Sequence, residues 1–162
     1  MNTAHRARTG LAAILLSGTL LPLAVPVSAQ QSTVPATGQA QLTKVASFEH
    51  QVTGVTVSRD GRIFVNFPRW SEDAPVSVAE VKDGKPVPYP DAAWNSWRNA
   101  KADEISPQDH FVCVQSVVAD GRDRLWVVDA AANAMAHVIK DGPKLVGIDL
   151  KTNRVVKTIP FD

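Results

Sequence analysis

Two kinds of segment recur in the same order along this chain, and that internal repeat restricts the fold more than any other feature. The first kind runs from Gly54 to Val65 and again from Gln115 to Val127. Each copy is an apolar run, an Asp-Gly pair (Asp60-Gly61, Asp120-Gly121), then arginine, an aliphatic residue, an aromatic residue and valine. Asp-Gly between two such runs marks a hairpin, because glycine accepts the positive φ that tight turns demand. The second kind runs from Val76 to Val87 and again from Leu145 to Val156, at a spacing of 69. Gly84 and Asn153 fall at the same place in it, and these are the residue types that best tolerate the left-handed region.

Two hairpins in a fixed order, twice over, give four consecutive antiparallel strands per unit. That is the pattern of β-propeller blades, which close in rings of typically 4–8. A single eight-stranded sandwich also alternates strands with turns, but it gives no reason for both hairpins to recur in sequence. The fold expected is all-β: about two four-stranded blades, one near residues 52–90 and one near 111–160, forming part of a larger propeller. Leu42 to Glu49 reads as one further strand. The largely apolar runs Phe111–Val118 and Arg124–Asp129 read as strands covered on both faces, with Cys113 as a small buried hydrophobe.

Residues 1–29 have the makeup of a cleavable export signal. Arg6 and Arg8 precede an uncharged run from Leu11 to Val27, and Val27-Ser28-Ala29 supplies small residues for a peptidase. Gly18, Pro22 and Pro26 break the run, which falls short of the roughly 20 apolar residues of a membrane span. The reading is therefore a secreted or periplasmic protein, free of the membrane once the signal is removed. Residues 30–43 are uncharged and rich in Gln, Ser and Thr, as a flexible linker would be, and 44–162 form the folded domain.

Of 17 Lys and Arg residues, Arg6 and Arg8 lie in the signal; the remaining 15 face 16 Asp and Glu, a formal charge of −1 for residues 30–162. A chain so nearly neutral lacks the basic field that a nucleic acid or an anionic lipid surface requires. One cysteine excludes an intrachain disulfide and any multi-cysteine metal site.

Motifs of known chemistry are scarce. The chain has no G-x-S-x-G, no H-E-x-x-H and no P-loop. No cofactor is expected. His50, His110 and His137 are far apart and read as surface or capping residues. Four residues stand out as ligand-binding candidates: Asn66, Arg69, Trp70 and Asp129. Arg69 and Trp70 follow Pro68, which ends a ladder by lacking a donor. A guanidinium beside an indole suits an aromatic ligand, and it equally suits a loop anchor in which Arg69 meets an acid. Asn66 and Asp129 close equivalent strands and so reach one rim, either to face a common mouth or to stabilise turns. Trp94 and Trp97 suit one face of a short helix capped by Asp91.

Several segments together resemble the yellow and major royal jelly protein family. They are Asp60 to Trp70 with its Pro-Arg-Trp ending, Pro88-Tyr-Pro-Asp91 followed by Trp94, Asp123 to Asp129, and Gly142 to Asn153. The resemblance implies a six-bladed propeller and a protein that binds a small, possibly aromatic, molecule in a central channel. It leaves catalysis open. The lone Cys113 departs from the disulfide cysteines of the insect members. An alternative is a metal-dependent hydrolase like the gluconolactonases, with Glu49 near the carboxylate of their opening Glu-Gly-Pro strand; here His50 to Gly54 replace that signature. A nonfunctional truncated product is a third reading. Missing blades or self-association are the expected partners, since two blades leave an outer face uncovered on each.

Export processing is open to a direct check. Cleavage should follow Ala29, so terminal sequencing of exported material should begin at Gln30; material beginning at Met1 would exclude the signal.

Overall fold

The computed structural model describes residues 41–161. The stretch read as an export signal and most of that read as a linker lie outside the described residues. Eight strands form two sheets of four: β1 (Gly54–Val57), β2 (Ile63–Asn66), β3 (Val78–Lys82) and β4 (Lys85–Pro88) in the first, β5 (Val114–Ala119), β6 (Arg124–Asp129), β7 (Lys144–Asp149) and β8 (Arg154–Pro160) in the second. Neighbours in sequence are neighbours in space throughout, and all six pairings are antiparallel. The repeat read from the sequence is this pair of meanders. Among the described residues no helix is long and apolar enough to cross a membrane.

The turns follow from local chemistry. Asp83 and Gly84 take φ of 51° and 74° in the two-residue loop between β3 and β4, the positive pair that twists a tight hairpin correctly. Asn153, at the equivalent place before β8, has φ of 55°. The Asp-Gly turns are longer than two residues. In the β1–β2 connection Ser58 bonds the Asp60 carboxylate, and Gly61 has φ of 84°. In β5–β6 the Asp120 carboxylate accepts the N–H groups of Arg122 (2.7 Å) and Arg124 (3.1 Å), and Asp123 rather than Gly121 takes the positive φ.

The sheets pack face to face, with β1 against β5. Phe64, Val78 and Tyr89 of the first unit meet Phe111, Val117, Leu125, Val127, Val146 and Ile148 of the second in one core cluster. Burying each large side chain contributes roughly 1.5–3 kcal/mol. Arg62 bolts one end of this joint. Its Nε and Nη2 grip Glu80 at 2.7 and 3.0 Å, Nη1 donates to Leu150 O at 2.7 Å, and Nη2 reaches Asn153 Oδ1 at 2.8 Å. The guanidinium also lies 5.0 Å from the Phe64 ring centre and 5.3 Å from that of Tyr89.

The first sheet's other face carries Val65, Phe67 and Ala79, over which Phe48 and Val52 pack. The second sheet's other face is open. Trp126, Val128 and Leu145 are half-buried there and Val118 is exposed, so the expectation of cover on both faces holds for one face only among the described residues.

Three local expectations are corrected. Leu42 to Glu49 is irregular chain without strand pairing, ending in a bend at Glu49, since no neighbouring strand among the described residues offers it a ladder. Residues 92–95 form turns and 96–98 irregular chain rather than a helix, although Asp91 does accept the Trp94 N–H at 2.9 Å; Trp97 is buried there. Residues 111–113 precede β5 instead of belonging to it.

On the outer edge of the first sheet, Tyr89 donates to Val78 O, so the ladder bonds of β4 fall on Lys85, Val87 and Tyr89. Pro86 and Pro88 therefore occupy the outward positions, where no N–H is needed.

The Arg62 hydrogen bonds hold the Glu80 carboxyl below its ordinary 4.5. A depressed carboxyl stabilises the fold fully above its unfolded pKa, and the contribution fades as pH falls through the lower folded value. Glu80→Gln should therefore lower the urea midpoint at pH 7. The gap from the parent should narrow by about pH 3, and a gap independent of pH would refute the ion pair's role.

Candidate functional site

The site is built around a stretch of irregular backbone. Phe111, Val112, Cys113 and Val114 are each fully buried, yet the first three lie outside any ladder. Buried peptide groups without partners cost on the order of 1–3 kcal/mol each, so their bonds must come from elsewhere. Asp129 Oδ2 accepts the Val112 N–H at 2.7 Å and Oδ1 accepts that of Cys113 at 2.8 Å. Arg69 Nη1 donates to the carbonyls of Phe111 and Val112, both at 2.8 Å. Asn66 Nδ2 donates to Val114 O at 3.0 Å. Ala130 N and Trp94 O complete the set on Cys113 O and Phe111 N.

The structure thus brings together three of the four residues singled out from the sequence: Asn66, Arg69 and Asp129 all hold this one segment. Each is fully buried. Arg69 further donates to Ser77 Oγ (2.5 Å) and Trp97 O (3.1 Å), with its Nε 2.9 Å from Asp73 Oδ1. Burial pulls its guanidinium below the ordinary arginine range, and the Asp73 carboxylate opposes that shift. Asp129 also accepts the Ala131 N–H at 3.0 Å and pairs with Lys144 Nζ at 2.9 Å. Lys144 spends its other protons on Pro107 O and Gly142 O, at 2.8 and 3.0 Å. Burial lowers the Lys144 ammonium pKa, again opposed by its carboxylate partner.

Asn66 depends on Gly54 directly across the ladder. A Cβ at Gly54 would overlap Asn66 Oδ1, so only glycine admits the amide in this orientation. That oxygen has no hydrogen-bond partner among the described residues.

Trp70, the fourth candidate, is half-buried and sits apart from the clamp. With Gln115, Ala130, Ala132, Met135 and Ala136 it lines a hollow of about 350 Å³ beside the start of β5 and the end of β6. Arg69 O accepts the Ala134 N–H at 2.8 Å, which ties the loop after β6 to the same clamp. Ala131, Ala134 and Met135 in that loop have φ near +50° (49°, 52° and 51°), a region costly for side chains with a Cβ. Cys113 lies beneath, its thiol pushed up by burial and so held neutral.

Glu49 is exposed, in a separate cleft of about 330 Å³ lined by Phe48, His50, Phe67, Val76 and Lys85. His50 pairs with Glu72 at 3.0 Å. No cluster of three or more His, Cys, Asp or Glu residues suited to a metal ion occurs among the described residues.

Sequence reasoning missed Lys144 and Arg62. The signal for Lys144 was a lysine opening an otherwise apolar strand opposite Asp129; that of Arg62 was its place two residues before Phe64 on the same strand face.

Two consecutive four-stranded meanders, packed face to face through their first strands, define a protein of the β-propeller class, here not closed into a ring. Over residues 112–162 the chain matches the family model described as "Major royal jelly protein". The chain is also similar to "Dopaminechrome tautomerase" of Drosophila melanogaster, 29% identical over 105 residues. That match covers 60% of this chain and 22% of the fly protein.

Cutting the clamp should be costly. Arg69→Ala removes a charged donor from three carbonyls, leaving Val112 O without another, and leaves Asp73 unpaired, and should destabilise the fold by about 3–5 kcal/mol. Arg69→Lys keeps the charge but not the fork and should recover only part of that. Denaturant midpoints for the two variants check the order; a neutral Arg69→Ala would refute it.

Proposed function

We propose that this chain is an exported propeller protein of the yellow type whose rim binds a small aromatic molecule against Trp70. The observation that carries the reading is the half-buried Trp70 indole on a hollow of small residues, Gln115 and the exposed Met135. Such a ring offers a stacking face, and Gln115 beside it offers both a donor and an acceptor. The printed name of the fly relative supports the same ligand class, since it refers to a dopamine-derived compound. Asn66, Arg69 and Asp129 serve as positioning residues that fix Phe111–Val114 and, through Arg69 O, the loop bearing Met135. The reading commits to binding; turnover is not required by it. Residues 1–29 supply the route of export.

Calorimetric titration with dopamine tests the proposal. Trp70→Ala should weaken binding by about tenfold, the equivalent of roughly 1.4 kcal/mol of stacking and cation–π contact. Binding that is absent, or unchanged in Trp70→Ala, would remove the assignment. A calcium-dependent lactone hydrolysis abolished by Glu49→Gln would replace it with the hydrolase reading.

A further inference from the structure

The cleft of about 330 Å³ that holds Glu49 shares no lining residue with the Trp70 hollow. Its sides come from two elements. Ser47 to His50 supply one, Gly84 to Pro86 at the start of β4 supply the other, and Phe67, Pro75 and Val76 complete the lining. Both sides are held in place. Phe48 meets the buried Phe67 edge-on, with ring centres 5.4 Å apart. His50 Nδ1 lies 3.0 Å from Glu72 Oε1, which ties the same stretch to the loop after β2. Opposite, Lys85 and Pro86 stand in the ladder against Lys82 and Val81. The volume is at the low end of the roughly 300–1,000 Å³ of small-molecule sites.

Most of this lining is apolar, yet each side carries one full charge: the Glu49 carboxylate and the Lys85 ammonium. No ion pair joins the two, and neither has a side-chain partner among the described residues. Neighbouring charges are spent differently. Glu72 is taken by His50, and Lys82 by Glu80. Two unanswered charges of opposite sign, set apart along an apolar surface, select a ligand that carries both charges on an apolar body. A ligand with one charge is disfavoured by the far side: an amine meets the like charge of Lys85, a carboxylate that of Glu49.

We propose that this cleft binds a free α-amino acid with an apolar side chain. Its ammonium group pairs with Glu49, its carboxylate with Lys85, and its side chain covers Phe48, Phe67 and Val76. His50 acts as a positioning residue, fixing through Glu72 the stretch that bears Glu49. Nothing in this depends on Trp70, so the inference stands apart from the aromatic-ligand reading.

Titration of the purified chain with L-leucine, followed in proton–nitrogen correlation spectra, tests the proposal. Shifts should map to Glu49, His50, Gly84 and Lys85, with a dissociation constant on the order of 1 mM or tighter. Two fragments of leucine separate its charges: isopentylamine lacks the carboxylate and isocaproate lacks the ammonium group. Each should bind more weakly than leucine. Glu49→Gln should weaken leucine about three- to fivefold without weakening isocaproate, and Lys85→Met should weaken leucine about as much without weakening isopentylamine. Both residues are exposed, so the two variants should melt like the parent, and Trp70→Ala should bind leucine unchanged. An absence of shifts, shifts centred on the Trp70 indole, or variants that weaken leucine and both fragments alike would overturn the proposal.

Discussion

The hydrogen bonds on Phe111–Val114 are what the rest of the structure depends on. A propeller unit must leave one sheet and begin the next with the chain passing through the interior, where no ladder is available. Three buried residues of irregular backbone, Phe111 to Cys113, are the result, and water is excluded from them. Asn66 and Arg69 come from the end of the first sheet's second strand, Asp129 from the end of the equivalent strand in the second sheet. One buried segment thus reads the position of both sheets at once, and the apolar packing between them can settle only in that alignment.

The ionic part of this arrangement works because every charge is answered more than once. Asp129 accepts three backbone N–H groups as well as Lys144, and Arg69 donates to three carbonyls as well as meeting Asp73. A buried pair with fewer partners would be a weak contributor, since desolvation cancels most of the attraction. The same fixing of the backbone carries outward to the loop after β6. Trp70 therefore sits beside a loop that Arg69 O ties to the clamp through the Ala134 N–H.

Much of the fold was legible because turn chemistry is local. Gly84 and Asn153 announce their conformations regardless of tertiary context, and with the Asp-Gly pairs they mark the hairpins that define each unit. What failed was judged from short apolar or aromatic spacing alone. Trp94 and Trp97 fit a helical face, but the burial of Trp97 beneath the clamp decides the backbone there. Phe111 and Val112 look like strand because they are apolar, and they are buried without being paired. At the site, residue type was legible and role was not: Asn66, Arg69 and Asp129 were visible as unusual polar residues at strand ends, while the segment they hold is known only from the packed structure. Lys144 was hidden because a lysine in sequence reads as solvent-facing unless its buried partner is known.

The two outward prolines of β4 carry a consequence for how such a molecule can grow. An edge with carbonyls but no N–H groups at its free positions can accept hydrogen bonds but cannot return them. A strand arriving there would leave its own carbonyls unanswered at Pro86 and Pro88. Widening of the first sheet by a fifth strand is thereby made unfavourable, whether the strand comes from the same chain or from a stranger. Addition is left to the faces, where shape and apolar area decide the match. The prolines thus act as a directional rule: units may be stacked, and none may be broadened.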